Sequence, residues 1–172
     1  MAQVVLKVGD DISTDIIYPG RFMATVLPTE TPQFAFADNA EFNARLKSKQ
    51  VPSGCIIVAG KNFGCGSSRE QAVSSLKGYE LVIVAKGFAR IFLQNSVNLG
   101  LRLIEAPEIE ASEGDELDVG TDIVVNKMTG KEFNIIRLSK IRQSMIASGG
   151  LIPFTRKMVV ERRAAVSQER QK

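Results

Sequence analysis

An α/β domain that turns antiparallel toward its C-terminus is the fold this sequence predicts, and three observations lead there. Cys55-Ile56-Ile57-Val58-Ala59 and Leu81-Val82-Ile83-Val84-Ala85 are continuous apolar runs, as expected of strands covered on both faces. Each is followed by a helix-compatible stretch, so strand and helix alternate in the manner of parallel pairing. From Ile109 to Leu138 the texture changes to short runs separated by Gly114-Asp115, Gly120-Thr121 and Thr129-Gly130, which reads as antiparallel β. The order β/α, then β, then α predicts three layers in a single domain over residues 1–172. A hydrophobic content of 44% is enough to fill one core at this length.

Taken in order, Gln3 to Val8 alternates and is rich in valine, which predicts the first strand. Gly9-Asp10-Asp11-Ile12-Ser13-Thr14-Asp15 is polar and turn-forming. The segment from Ile16 to Pro32, with Pro19-Gly20 inside it, is too long for a plain connector and is a candidate functional loop. Phe34 to Lys47 has a helical pattern, with Phe34, Ala37, Phe42 and Leu46 on its apolar face. After the strand at Cys55–Ala59 come a glycine-rich turn and a helix from Gln71 to Lys77. The strand at Leu81–Ala85 leads to a helix from Phe88 to about Asn98 and a short strand at Leu101–Ile104. A helix from Ser139 to Ser148 ends at Gly149-Gly150, a glycine C-cap signal. The tail, about 156–172, is charged and helix-compatible.

Composition narrows the chemistry. The chain has no histidine, which removes Ser-His-Asp and Cys-His catalysis and histidine-based zinc sites from its repertoire. Two cysteines, Cys55 and Cys65, are too few for a disulfide framework or a four-ligand metal site, so free thiols and no bound metal are expected. A net charge of +3 is too mild to argue for nucleic acid. No apolar run approaches the ~20 residues that cross a bilayer. Met1-Ala2-Gln3-Val4-Val5-Leu6 enters a strand directly with no basic leader, so a cytoplasmic protein is expected.

Gly60-Lys61-Asn62-Phe63-Gly64-Cys65-Gly66-Ser67-Ser68-Arg69-Glu70 is the most informative stretch. A strand, a three-glycine turn and a helix start leave backbone N–H groups without internal partners at the positive end of a helix dipole, which suits an anion. The turn is not a P-loop, since Gly66 is followed by Ser67-Ser68 rather than Lys-Ser/Thr. Nor is it a dinucleotide fingerprint, since Arg69 stands where the third glycine belongs. A plain strand-to-helix turn with Ser67 or Ser68 as N-cap is the simpler alternative. Arg69 is a natural bidentate carboxylate clamp. With no histidine to take its proton, Ser67 can act as a base only where N–H donors and positive charge stabilise its alkoxide. Asp10, Asp11 and Asp15 form either a solvated Asx turn or, through Asp15, a group that orients Arg69. Arg90 and Asn95 lie near the next helix start and suit either site support or a subunit contact.

Gly64-Cys65-Gly66-Ser67-Ser68-Arg69-Glu70, then Ala85-Lys86-Gly87-Phe88-Ala89-Arg90-Ile91-Phe92 and Asn95, resembles the swivelling domain of the aconitase superfamily. The length and Asp11-Ile12-Ser13-Thr14-Asp15-Ile16-Ile17 resemble its free-standing form, the small-subunit family of 3-isopropylmalate dehydratase. The resemblance implies a three-layer β/β/α swivelling domain and a hydro-lyase that isomerises a hydroxy acid by dehydration and rehydration. It also implies a separate large subunit carrying a 4Fe–4S cluster, with no cofactor on this chain. By position, Ser67 matches the proton-abstracting serine, Gly66, Ser68 and Arg69 the carboxylate-binding group, and Asp15 the supporting aspartate. Specificity in that family is associated with the loop that here reads Arg21, Phe22, Met23, Ala24 and Thr25. Tricarboxylate-handling relatives carry an arginine near Ala24 or Thr25, whereas this chain offers Phe22, Met23, Ala24 and Val26, which implies an alkyl malate as substrate unless Arg21 turns inward to bind a further carboxylate. The related alternatives are subunits acting on dimethylmalate, methylmalate or homoaconitate. A different class, an RNA-binding or regulatory module, would use Arg156, Lys157, Arg162, Arg163, Arg170 and Lys172.

Overall fold

The computed structural model describes residues 1–169, with side chains to Ala164, so Arg170 and Lys172 of the basic tail lie outside the described residues. In chain order the elements are β1 (Ala2–Lys7), α1 (Thr14–Ile17), α2 (Ala40–Lys47), β2 (Ile56–Ala59), α3 (Glu70–Lys77), β3 (Val82–Ala85), α4 (Arg90–Leu99), β4 (Arg102–Glu105), β5 (Glu116–Val119), β6 (Ile123–Asn126), β7 (Glu132–Asn134), α5 (Lys140–Ala147) and α6 (Leu151–Glu169). Short 3₁₀ turns at Gly20–Phe22 and Thr31–Phe34 break the segment before α2.

The strands form one seven-stranded sheet in the order β4-β3-β2-β1-β5-β6-β7. Pairing is parallel from β4 to β1 and antiparallel from β1 to β7. The change falls at β1, which is therefore shared by both halves.

Every residue of β2 and β3 is buried, and the two-residue period divides them between two cores. Ile57, Ala59, Ile83 and Ala85 face Phe42 and Leu46 of α2, Ala72, Val73 and Leu76 of α3, and Phe92 of α4. Val4, Ile56, Val58, Val82 and Val84 face the opposite way, onto Ile109, Leu117, Val124 and Phe133. The antiparallel half thus curls over the second face of the parallel half. Ile136 N–H donates to Glu105 O at 2.8 Å and ties the chain after β7 to β4, the far edge. The layers run β/β/α, as the sequence predicts.

The helix expected over Phe34–Lys47 is shorter than that and begins only at Ala40. Phe34 ends a 3₁₀ turn, and Phe36 sits at φ 50° with its N–H held by Ile17 O at 2.7 Å. Burying Phe36 against Phe42 overrides the helical period upstream, and the Asn39 side chain then caps α2 by accepting from Phe42 N–H at 3.1 Å. The glycine signal at Gly149-Gly150 is a helix-to-helix turn. Gly149 N–H bonds Ile146 O and Gly150 N–H bonds Met145 O, but α6 resumes at Leu151 rather than near residue 156.

Candidate active site

Helix α3 starts at the C-terminal end of β2, the position where open α/β sheets present their ligand sites. The intervening turn is shaped by left-handed residues, Asn62 (φ 58°), Gly64 (φ 80°) and Gly66 (φ 85°). A Cβ on Gly64 would stand 2.1 Å from the Phe92 ring, so this position takes neither the bulk nor the conformation of another residue. The segment after β1 braces the turn. Ile12 O accepts from Gly64 N–H at 2.7 Å, Cys65 O accepts from Thr14 N–H at 2.8 Å, and the buried Thr14 hydroxyl donates to Ser67 O at 2.9 Å.

This bracing leaves the mouth of α3 open. Arg69 holds the N-cap position in extended geometry and supplies no side-chain cap, so neither Ser67 nor Ser68 is the cap that the simpler reading predicts. Among the described residues, no backbone N–H from Gly66 through Gln71 has an intramolecular acceptor. Ser67 and Ser68 are exposed beside them. A row of unpartnered donors at a positive helix end is what the sequence led one to expect.

The Arg69 side chain is only 11% exposed. Its Nη1 donates to Asp15 Oδ1 and lies 3.4 Å from Tyr18 O, while its buried Nε has no partner. The hydrogen bond from Arg69, with help from its charge and from Gly20 N–H, holds the Asp15 carboxyl below the usual carboxylate range against the opposing effect of desolvation. Gly20 leaves room for this pair: a Cβ there would come 3.3 Å from Asp15 Oδ1 and 3.4 Å from Arg69 Nη2. The other two acids of the cluster serve the turn instead. Asp10 accepts from Lys61 N–H and Asp11 from the Asn62 side chain, both at 2.7 Å.

The expected specificity loop lies beside the mouth, with Met23 O 3.4 Å from the Gln71 amide nitrogen. Arg21 turns to Asp38 in a two-pronged pair and stacks over the Phe22 ring at 4.6 Å. Phe22 stacks on Phe34 at 4.2 Å, leaving Met23 and Ala24 exposed and Thr25 half-buried. Arg90 and Asn95 stand on α4 in a shallow depression shared with Arg142 of α5. Sequence reasoning passed over two residues. Thr14 and Tyr18 are both buried and both hold site backbone through hydroxyls, and no local pattern distinguishes such residues from core filling.

Both cysteines are free thiols; Cys55 is buried, which pushes its pKa up, and Cys65 is half-buried with its thiol donating to Asp11 O. Among the described residues no cluster of three or more His, Cys, Asp or Glu side chains could hold a metal ion, and no helix is long and apolar enough to cross a membrane.

Residues 11–108 match the model of the aconitase C-terminal domain. The 3-isopropylmalate dehydratase small subunit of Methanosarcina mazei is 38% identical over 161 residues, covering 91% of this chain and 96% of that protein. The isopropylmalate/citramalate isomerase small subunit of Methanocaldococcus jannaschii is 40% identical over 163 residues, covering 91% and 94%. The crystal structure of 3-isopropylmalate dehydratase (leuD) from Methanocaldococcus jannaschii superposes with a TM-score of 0.84 at 35% identity, covering 95% of this chain and 97% of that one. The chain therefore belongs to the aconitase C-terminal domain family, among the small subunits of 3-isopropylmalate dehydratase.

Proposed function

We propose that this chain, acting as one domain, is the small subunit of a cytoplasmic hydro-lyase that isomerises an alkyl malate, 3-isopropylmalate first, by dehydration and rehydration. The observation that carries the reading is the pairing of an open α3 mouth with a nearly buried Arg69 whose Nε lacks a partner. A substrate carboxylate fills the open mouth and pairs with the Arg69 charge. Arg69 and Ser68 bind it with the N–H groups beginning at Gly66, and Asp15 fixes the guanidinium. Ser67 takes the proton from the carbon next to the one that loses hydroxide; on rehydration water adds to that deprotonated carbon, and Ser67 delivers the proton to the carbon that had carried the hydroxyl. The same donors that bind the anion stabilise the serine alkoxide.

Loss of the hydroxyl needs a Lewis acid, which a 4Fe–4S cluster supplies. The residues of this chain do not fit such a cluster, since Cys55 is buried in the core and Cys65 has no companion ligands. On this reading a large subunit carries the cluster, as the family resemblance implies, and catalysis belongs to the complex. The exposed Met23 and Ala24 beside the mouth, with Arg21 engaged by Asp38, favour an alkyl group over a third carboxylate. The isopropylmalate/citramalate name of one relative supports a second reading in which a methyl-bearing malate is also turned over.

The test is anaerobic reconstitution with the large subunit, assayed on isopropylmalate, methylmalate, dimethylmalate, homocitrate and citrate. Alkyl-malate turnover that falls about 10²–10⁴-fold in Ser67→Ala is the expected result. Turnover of a tricarboxylate alone would falsify the substrate class, and full activity in Ser67→Ala would remove the serine from its role.

A further inference from the structure

Tyr18 touches both halves of the site through opposite ends. Its carbonyl oxygen lies 3.4 Å from Arg69 Nη1. Its hydroxyl, on a side chain with 0% exposure, donates to Phe22 O at 3.1 Å and stands 3.4 Å from Thr25 O. The ring meets Phe22 and Phe34 edge-on, at 6.5 and 6.1 Å between centroids.

The loop after Tyr18 is otherwise weakly moored. Gly20 N–H ties its start to the Asp15 carboxylate, but beyond that its backbone bonds, Phe22 N–H to Pro19 O, Met23 N–H to Gly20 O and Thr25 N–H to Phe22 O, curl it upon itself. The Gln71 contact to Met23 O and the Arg21–Asp38 pair are solvent-exposed, and exposed polar contacts contribute little. The Phe22 ring packs against the core, but a ring contact does not fix the direction of backbone carbonyls. A phenylalanine at position 18 would fill the same volume. What the hydroxyl adds is one donor, given to Phe22 O with Thr25 O close by, in a place where water does not replace it.

We infer that Tyr18 is a positioning residue for substrate selection: it sets the spacing between Arg69, which binds a substrate carboxylate, and the Phe22–Thr25 loop, which faces the substituent. The inference rests on the alkyl-malate reading above. A larger substituent reaches further toward the loop, so its turnover depends more on that spacing than a methyl group's does.

Tyr18→Phe keeps the ring and removes the donor. In the reconstituted complex, the kcat/KM ratio of isopropylmalate over methylmalate falls roughly 2- to 10-fold through KM, with kcat for both substrates near wild type. In the full-length chain, amide exchange over residues 22–27 speeds up while that of β2 and β3 does not change. An unchanged substrate ratio in a complex that turns over both malates overturns the selection role. Unchanged exchange over 22–27 overturns the anchor, whatever the activity. A wild-type complex that turns over neither malate overturns the functional reading beneath the proposal, and the exchange result then still decides whether the hydroxyl moors the loop.

Discussion

Arg69 brings a permanent cation into a site where its side chain is almost covered, while its counter-ion Asp15 keeps 55% exposure. The pair is lopsided: the aspartate is free to solvent, and the arginine depends on it for direction. Because the hydrogen bond from Arg69 depresses the Asp15 pKa, the interaction is fully present above the ordinary carboxylate value of ~3.9 and is lost only as pH falls through the lower folded value. Across neutral pH this group therefore does not titrate. Asp15→Asn is expected to raise KM for a dicarboxylate about 10-fold or more while leaving the shape of the pH–rate profile between about 5 and 8 unchanged, which steady-state kinetics of the complex would show. A new ionisation in that window would mean that Asp15 itself exchanges protons in the reaction. At this scale the open glycine turn and the Arg69–Asp15 pair were legible beforehand. Gly66, Ser67, Ser68 and Arg69 announce themselves because each residue type carries its chemistry with it. Tyr18 and Thr14 do not, because a hydroxyl in an apolar context looks like core until its acceptor, a distant carbonyl, is placed.

Among the elements, α3 is fixed at both ends by different means. Its start is braced by Thr14, and its end by Lys77, whose ammonium donates to Leu99 O at the end of α4 and to Gly149 O after α5, the latter at 2.9 Å. One cation thus serves the negative ends of two neighbouring helices. Burial lowers the Lys77 pKa, yet the two carbonyls hold the charged form in place. Lys77→Met is expected to cost about 1–2 kcal/mol in denaturant unfolding, with no change in isopropylmalate KM for the complex. A shifted KM would show that the far end of α3 is coupled to its mouth. Parallel strands and their helices were readable from apolar runs, because a strand buried on both faces leaves no other pattern. The onset of α2 was not: Phe34 and Ala37 share a helical period with Phe42, and only the burial of Phe36 at a positive φ shows that the chain enters the core another way.

At the scale of the whole molecule, the sheet curls until residues after β7 meet β4, and α5 and α6 pack outside it on α4. From Thr155 to Ala164 the α6 side chains are exposed. Removing residues 155–172 is accordingly expected to leave the melting temperature within about 2 °C of the full chain, as read by calorimetry. A larger drop would reveal that the last helix supports the fold. The central position of β1 has a consequence for how the molecule is made. Strand β1 pairs through Val4 with Ile56 and through Ala2 with Leu117, which lie on opposite sides of it in the sheet. Until β5 is in place, the β1 edge from Ala2 to Val4 is unpaired on that side, a template for intermolecular association. Refolding is accordingly expected to be limited by the return of β5 to β1 across the chain rather than by helix formation, an order that stopped-flow refolding would check.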